Sequence, residues 1–290
     1  MSKTAIVLVN YNDSRWLINW IVAMGRQHPE ELIVVDDRST DHSLLLLREL
    51  QKEYKFRIVE NDGKRGPFNA VIKGCLATDA EFVSPWSCDD EPNDGYVYQM
   101  ACAINDYPFV DLFSCNTKVI REGREYERIL LPFDAYISPD YMVKLCRAGF
   151  ARSFNVIGHM IRRRVVLENW MAGGKDMAVN FDALYAFSTM LSKGFVNLGD
   201  CLTTYRSYPN SFGASGNRKA RTESIRISKR IFMSKGDPDL YERARASGLW
   251  GLKAQFLSRL ALWMIRRIPK WARFKFYDWF FSYDWKCEKL

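Results

Sequence analysis

Apolar residues recur along the first part of the chain in short runs, each followed by a polar cluster and then by apolar residues at helical spacing. Thr4–Val9 (TAIVLV) is β-branched and reads as a strand, and Asn10-Tyr-Asn-Asp13 follows it. In Arg15–Met24 the residues Trp16, Leu17, Trp20, Ile21 and Met24 share one helical face, with Asp13 placed to cap it. Glu31–Val35 predicts the second strand, Asp36–Asp41 the next polar cluster, and Ser43–Glu53 a helix that Asp41 would cap. Phe56–Val59 predicts a short third strand, and the turn-rich Asn61–Pro67 leads into a helix near Phe68–Ala77. Glu81–Trp86 predicts the fourth strand, followed by WSCDDEP and a helix from about Gly95 to Asn105; Phe109–Cys115 predicts a fifth strand.

Strands alternating with helices of about ten residues imply βαβ units and a mostly parallel sheet, an α/β fold of the Rossmann-like kind. In such a sheet the four polar clusters line one carboxyl edge, where ligands of open α/β sheets bind. The geometry alone therefore makes WSCDDEP (86–92) a ligand site. Asp89, Asp90 and Glu91 crowd three carboxylates together, an arrangement that asks for water or a cation.

Beyond residue 115 the pattern is less regular. REGREYER (121–128) predicts a hairpin or surface loop, Phe181–Leu191 a helix and Cys201–Arg206 a strand. SYPNSFGASGNRKAR (207–221) is loop-like and suits a lid, and the remainder reads as helical. The division this suggests is a catalytic domain over 1–218, with a nucleotide-binding half near 1–115 and an acceptor half near 116–218. A helical extension over 219–290 follows.

Composition narrows the class without choosing the chemistry. With 290 residues and 48% hydrophobic content the chain supports a large globular core, and the formal charge of +8 points to an anionic partner. No run of about 18 apolar residues occurs, so no membrane-spanning helix is expected. The first apolar run is too short for a signal peptide. The seven cysteines show no paired zinc spacing and read as reduced, cytosolic thiols, with Cys88 beside two aspartates as a minor metal-ligand candidate.

The motifs VLVNYND, IVVDDRSTD, ENDGKRGPFNAVIKGCLATDAEFV and WSCDDEP, in that order, resemble a family 2 glycosyltransferase with the GT-A nucleotide-sugar fold. The resemblance covers about 1–115 well and extends more loosely over 181–212. It implies that Tyr11 packs against the base or ribose and that Asp37 bonds the base. By the same resemblance Lys64, Arg65 and Asn69 face the nucleotide and diphosphate. It further implies that Asp89 and Asp90 stand at the family's metal motif, sharing Mn²⁺ or Mg²⁺ and the donor's ribose between them. Ser87 occupies the position where many members carry the first acid, so which aspartate does which job stays open. For the base that accepts the acceptor's proton, the resemblance points to the start of the helix near Phe181. Asp182 is the first choice and Asp176 the runner-up; the plain alternative for Asp182 is a carboxylate stabilised by the helix dipole.

The implied reaction is an inverting, metal-dependent transfer from a UDP-, dTDP- or GDP-linked sugar to a glycan or lipid-linked glycan. The rivals are a nucleotidyltransferase and a catalytically silent nucleotide-sugar-binding protein. Residues 249–290 mix tryptophan, tyrosine, lysine and arginine, a composition suited to a peripheral contact with the inner, cytoplasmic face of a membrane. Packing within the protein or against a second copy in a homo-oligomer is the alternative. No nucleic-acid motif accompanies the basic residues, so nucleic acid is not an expected partner. His159 reads as structural, and Arg162-Arg163-Arg164 either binds an anion or is a solvated run.

Overall fold

The computed structural model describes residues 2–147, 157–208 and 218–247. Among the described residues ten strands form one sheet: β1 (Thr4–Asn10), β2 (Glu31–Asp36), β3 (Arg57–Glu60), β4 (Phe82–Ser87), β5 (Glu91–Pro92), β6 (Leu112–Arg121), β7 (Arg124–Arg128), β8 (Ala135–Ile137), β9 (Met160–Arg162) and β10 (Phe195–Ser207). The order across it is β3-β2-β1-β4-β9-β6-β10-β5, with β7 beside β6 and β8 beside β10. The pairs β3–β2, β2–β1 and β1–β4 are parallel, as the alternating pattern requires. The short β9 runs antiparallel between β4 and β6, and β6 pairs in parallel with β10.

The apolar runs of β1 and β2 are continuous because both sheet faces are covered. Ile6, Leu8, Leu32 and Val34 pack with Leu17, Trp20, Ile21 and Met24 of α1 (Ser14–Gly25), Leu47 of α2 (Ser43–Leu50) and Met100 of α4 (Tyr96–Asp106). On the opposite face Val7, Ile33 and Val35 meet Ala70 of α3 (Pro67–Leu76). That layer continues through α5 (Pro139–Arg147), α6 (Arg163–Met171) and α7 (Phe181–Lys193). Gly74 lets α3 lie close to the sheet: a Cβ there would overlap Val7 Cγ1 and stand 3.1 Å from Val35 Cγ2.

Two helices beyond the long strand β10, α8 (Arg218–Ser234) and α9 (Pro238–Ala246), pack on this same layer. Ile227, Ile231, Phe232, Leu240 and Ala244 are buried in its core. Asp237 caps α9 by accepting from the amides of Asp239 and Leu240. The basic-aromatic segment 249–290 lies outside the described residues.

Helix starts show one departure from expectation. Asp13 precedes α1 but makes no side-chain capping bond. Asp41 instead serves two helices, accepting from Ser14 N at 3.2 Å and Ser43 N at 2.9 Å, and these bonds hold its carboxyl below the ordinary range despite the cost of burial.

Candidate active site

The turns after β1, β2, β3 and β4 meet at the carboxyl edge of the sheet, and their polar side chains knit them together. Asn10 Nδ2 donates to Asp36 Oδ1 at 2.9 Å and to Ser39 Oγ at 3.0 Å, tying the first turn to the second. Asp37 ties the second to the third: Oδ1 accepts from Asn61 Nδ2 at 2.5 Å and Oδ2 from the Gly66 amide at 2.8 Å. Gly66 has a φ of 134°, a backbone region that a side chain disfavours, and it opens α3 just before Pro67.

This frame brings several of the expected donor-site residues together. Arg65 lies with its guanidinium 4.0 Å from the centre of the Tyr11 ring, and Tyr11 is 39% exposed, so the pair is accessible from solvent. Lys64 is exposed on the same turn, and Asn69, in the first turn of α3, donates to the Arg65 carbonyl at 3.3 Å. Asp37 is buried with both carboxylate oxygens already bonded to the protein, so its visible work is to hold the Lys64–Arg65 turn in place.

Asp89 and Asp90 are both buried but differ in environment. Asp89 Oδ1 accepts from Ser87 Oγ at 2.5 Å and Oδ2 from Tyr208 Oη at 2.8 Å. Asp90 Oδ1 is buried with no hydrogen-bond partner. Burial, then the neighbouring Asp89 charge, pushes the Asp90 carboxyl well above the usual range. Glu91 is half-buried and ion-paired to Arg206, not turned to solvent alone. Cys88 donates weakly to the Val9 carbonyl at 3.4 Å, and burial, then the surrounding aspartates, push its thiol up.

Beside this motif lies a cavity of about 390 Å³, between the β4 turn, the start of α3 and the start of α7. Asp89 and Asp90 line one side and Asp182 another. Asp182 occupies the first turn of α7, where burial raises its carboxyl while the Ala183 amide, 2.9 Å away, and its own amide oppose the shift. Asp176 is exposed on a short 3-10 turn and does not line the cavity. Phe68, Trp86, Phe181 and Tyr185 give the cavity an aromatic wall, and His159, packed 5.3 Å from the Tyr185 ring, lines it as well.

Three cationic or phenolic contributors escape a reading of the sequence. Arg128, at the end of the β6–β7 hairpin, lines the cavity with its guanidinium 5.8 Å from the Tyr205 ring centre. Arg206 and Tyr208, from the end of β10, reach the Ser87–Glu91 turn from its other side. Their only sequence signal is the run Tyr205-Arg206-Ser207-Tyr208 where the last strand gives way to a loop-like stretch. By contrast, the basic run 162–164 is spent elsewhere. Arg162 bonds Asp111 at 2.5 Å and pairs with Glu81, while Arg164 and Lys193 lie 3.2 and 2.9 Å from the same buried Asp111. That cluster sits at the amino end of β6, the edge opposite the cavity.

Among the described residues, no group of three or more Asp, Glu, His or Cys converges to hold a cation unaided. Asp90 nonetheless fits one: its Oδ1 is buried without a hydrogen bond, and the nearby Arg206 charge only partly offsets the cost of burying the carboxylate. Two carboxylates and a diphosphate supplying the remaining oxygens make a reasonable set for Mg²⁺ or Mn²⁺.

A profile of glycosyl transferase family 2 matches residues 5–170, which span every strand of the edge just described except β10. The chain belongs to glycosyl transferase family 2. A curated relative, the uncharacterized glycosyltransferase alr2836 of Nostoc sp. (strain PCC 7120), is 28% identical over 180 residues, 57% of this chain and 52% of its own length. This family 2 chain therefore spans about half the length of the curated relative it matches. Among solved structures it is similar to TarS of S. aureus (residues 1–349) in complex with UDP. The TM-score is 0.67 at 15% identity, over 86% of this chain and 70% of that one. The same TarS fragment in complex with UDP-GlcNAc gives 0.66 at 14% identity, over 86% and 71%. At such identities the likeness establishes the shared GT-A fold and no more.

Proposed function

We propose that this chain transfers a sugar from a nucleotide-sugar donor to a hydroxyl of a glycan or lipid-linked glycan, with inversion. The observation that carries the reading is the single cavity into which Asp89, Asp90 and Asp182 all face. Family membership and a TarS-like fold, in a protein solved with UDP and UDP-GlcNAc, support a nucleotide sugar as the donor class.

Tyr11 and Arg65 form a platform for the base and ribose, with Lys64 and Asn69 on the diphosphate side and Asp37 holding their turn. When bound at Asp90 and Asp89, Mn²⁺ or Mg²⁺ would neutralise charge developing on the departing diphosphate. Asp182 is the base. Its carboxylate takes the acceptor's hydroxyl proton as that oxygen bonds the anomeric carbon, and the bond from that carbon to the diphosphate oxygen breaks. The raised Asp182 carboxyl brings it closer to the basicity the task needs than a solvated aspartate would be. The aromatic wall excludes water, which would otherwise compete as acceptor. Arg128 adds a positive charge to a cavity otherwise dominated by carboxylates.

Cytoplasmic peripheral contact with a membrane through 249–290 belongs to the same proposal, on the strength of that segment's basic-aromatic composition. No helix among the described residues is long and apolar enough to cross a membrane. Thermal unfolding with UDP, dTDP or GDP, each with and without Mn²⁺, tests the reading. One base should stabilise the protein, and Mn²⁺ should enlarge the shift; no shift with any of them would refute a nucleotide-sugar site.

A further inference from the structure

Asp89 and Asp90 are adjacent in sequence and buried together, yet the protein treats them unequally. Asp89 has a hydroxyl donor on each oxygen: Ser87 Oγ at 2.5 Å and Tyr208 Oη at 2.8 Å. Asp90 Oδ1 has none. A hydroxyl that donates to a carboxylate oxygen draws on the electron density a cation would use, so the two oxygens of Asp89 are weakened as ligands.

The Tyr208 contact is built and held. The end of β10 is fixed beside the motif by its antiparallel pairing with β5, Thr203 opposite Pro92 and Thr204 opposite Glu91. Two residues on, Arg206 pairs with the Glu91 carboxylate and donates to the Asp89 carbonyl at 3.4 Å. Its guanidinium also lies 5.0 Å from the Trp16 ring centre. Arg15 then bridges Trp16 and Tyr208, 5.3 and 5.7 Å from their ring centres. Arg206 and Tyr208 lie two apart on an extended chain and so project to the same side. Thus α1 and β10 together clamp the phenol onto Asp89. The surroundings reward a neutral donor at this point, because Asp13, Asp89 and Asp90 already crowd three carboxylates. Asp13 itself is raised by burial and by Asp89.

We propose that Tyr208 is a positioning residue that divides the labour of the acidic motif: it occupies Asp89 and leaves Asp90 as the carboxylate open to a divalent cation. Cation contact through Asp89 competes with the Tyr208 hydroxyl. The inference rests on the cation reading given above and goes beyond it in assigning unequal roles to the two aspartates and a cause for the inequality.

The test is Mn²⁺ titration of the full chain saturated with whichever of UDP, dTDP or GDP stabilises it, free Mn²⁺ being read by electron paramagnetic resonance and corrected for the ion held by the diphosphate alone. Wild type, Tyr208→Phe and Asp90→Asn are compared. Tyr208→Phe keeps the ring and its stacking but frees Asp89 Oδ2, and it should bind Mn²⁺ about tenfold more tightly, as expected for release of a hydrogen bond to a charged group. Asp90→Asn should lose Mn²⁺. If Asp90→Asn loses Mn²⁺ while Tyr208→Phe binds it no more tightly than wild type, the role given to Tyr208 is wrong and the cation site stands. If Asp90→Asn binds Mn²⁺ as wild type does, the ion is held without Asp90, and the division of roles fails together with the part given to Tyr208.

Discussion

Asp37 Oδ2 accepts the Gly66 amide at 2.8 Å, a bond that joins the turn after β2 to the first residue before α3. With Asn61 on the other oxygen, the carboxylate acts as a rivet between two turns. Asp37→Ala should therefore lower stability without any ligand, by about 2–3 kcal/mol for buried bonds to a charged group. Thermal unfolding of the ligand-free protein measures it; an unchanged midpoint would leave Asp37 with a ligand-facing role alone.

Tyr11 and Arg65 form the other element of the donor platform, 4.0 Å apart and accessible from solvent. Tyr11→Ala removes both the stacking surface and the brace for Arg65. The expected effect is about a tenfold rise in the Kd for a nucleoside diphosphate, with little change in Tm, because stacking of this kind contributes roughly 1–2 kcal/mol. Calorimetric titration reads it directly.

Asp182 supplies a pH test with a definite sign. Burial raises its carboxyl in the folded state above the ordinary value of 3.8. As a base it must be ionised, so the transfer rate should fall on acidification with a midpoint above that value, and Asp182→Asn should lose at least about 100-fold. Linkage runs the other way for stability. A raised folded value contributes stability that is present in acid and lost as pH rises through it, so Asp182→Asn should raise Tm at about pH 8 and leave it unchanged near about pH 3. Unfolding curves at the two pH values separate this from a general packing effect.

Gly74 links core packing to the site, since α3 carries Pro67, Phe68 and Val71 into the cavity wall. Gly74→Ala would press a methyl group against Val7 and Val35. Overpacking of this kind costs about 1–3 kcal/mol, and in a protein of this size Tm should drop by roughly 2–4 °C for each of them. An unchanged Tm would show that α3 has room to shift away from the sheet.

The first four strands and their turns were legible because both faces of the sheet are buried. Runs such as Ala5–Val9 and Leu32–Val35 leave no polar residue inside the element, and the polar residues gather where each strand ends. The meeting of Tyr11 with Arg65 follows from that edge, whereas Asp182, at the start of α7, was singled out only through the family resemblance. Other contributions were hidden because they arrive from elements the alternation does not announce. Arg128 belongs to a hairpin whose charged residues look like an ordinary surface, and Tyr208 reaches Asp89 across 119 positions. The same limit explains the basic run 162–164. Its partner Asp111 follows an apolar stretch, and only the antiparallel insertion of β9 between β4 and β6 brings the two together.

The most direct test of the central claim is nucleoside diphosphate release from UDP-, dTDP- and GDP-linked sugars, with Mn²⁺ and a glycan acceptor, by wild type, Asp90→Asn and Asp182→Asn. Wild type should release diphosphate from donors of one base, and both variants should lose at least about 100-fold while remaining folded. A wild-type chain that binds the diphosphate and releases none from any donor, or an Asp182→Asn variant as active as wild type, would contradict the account.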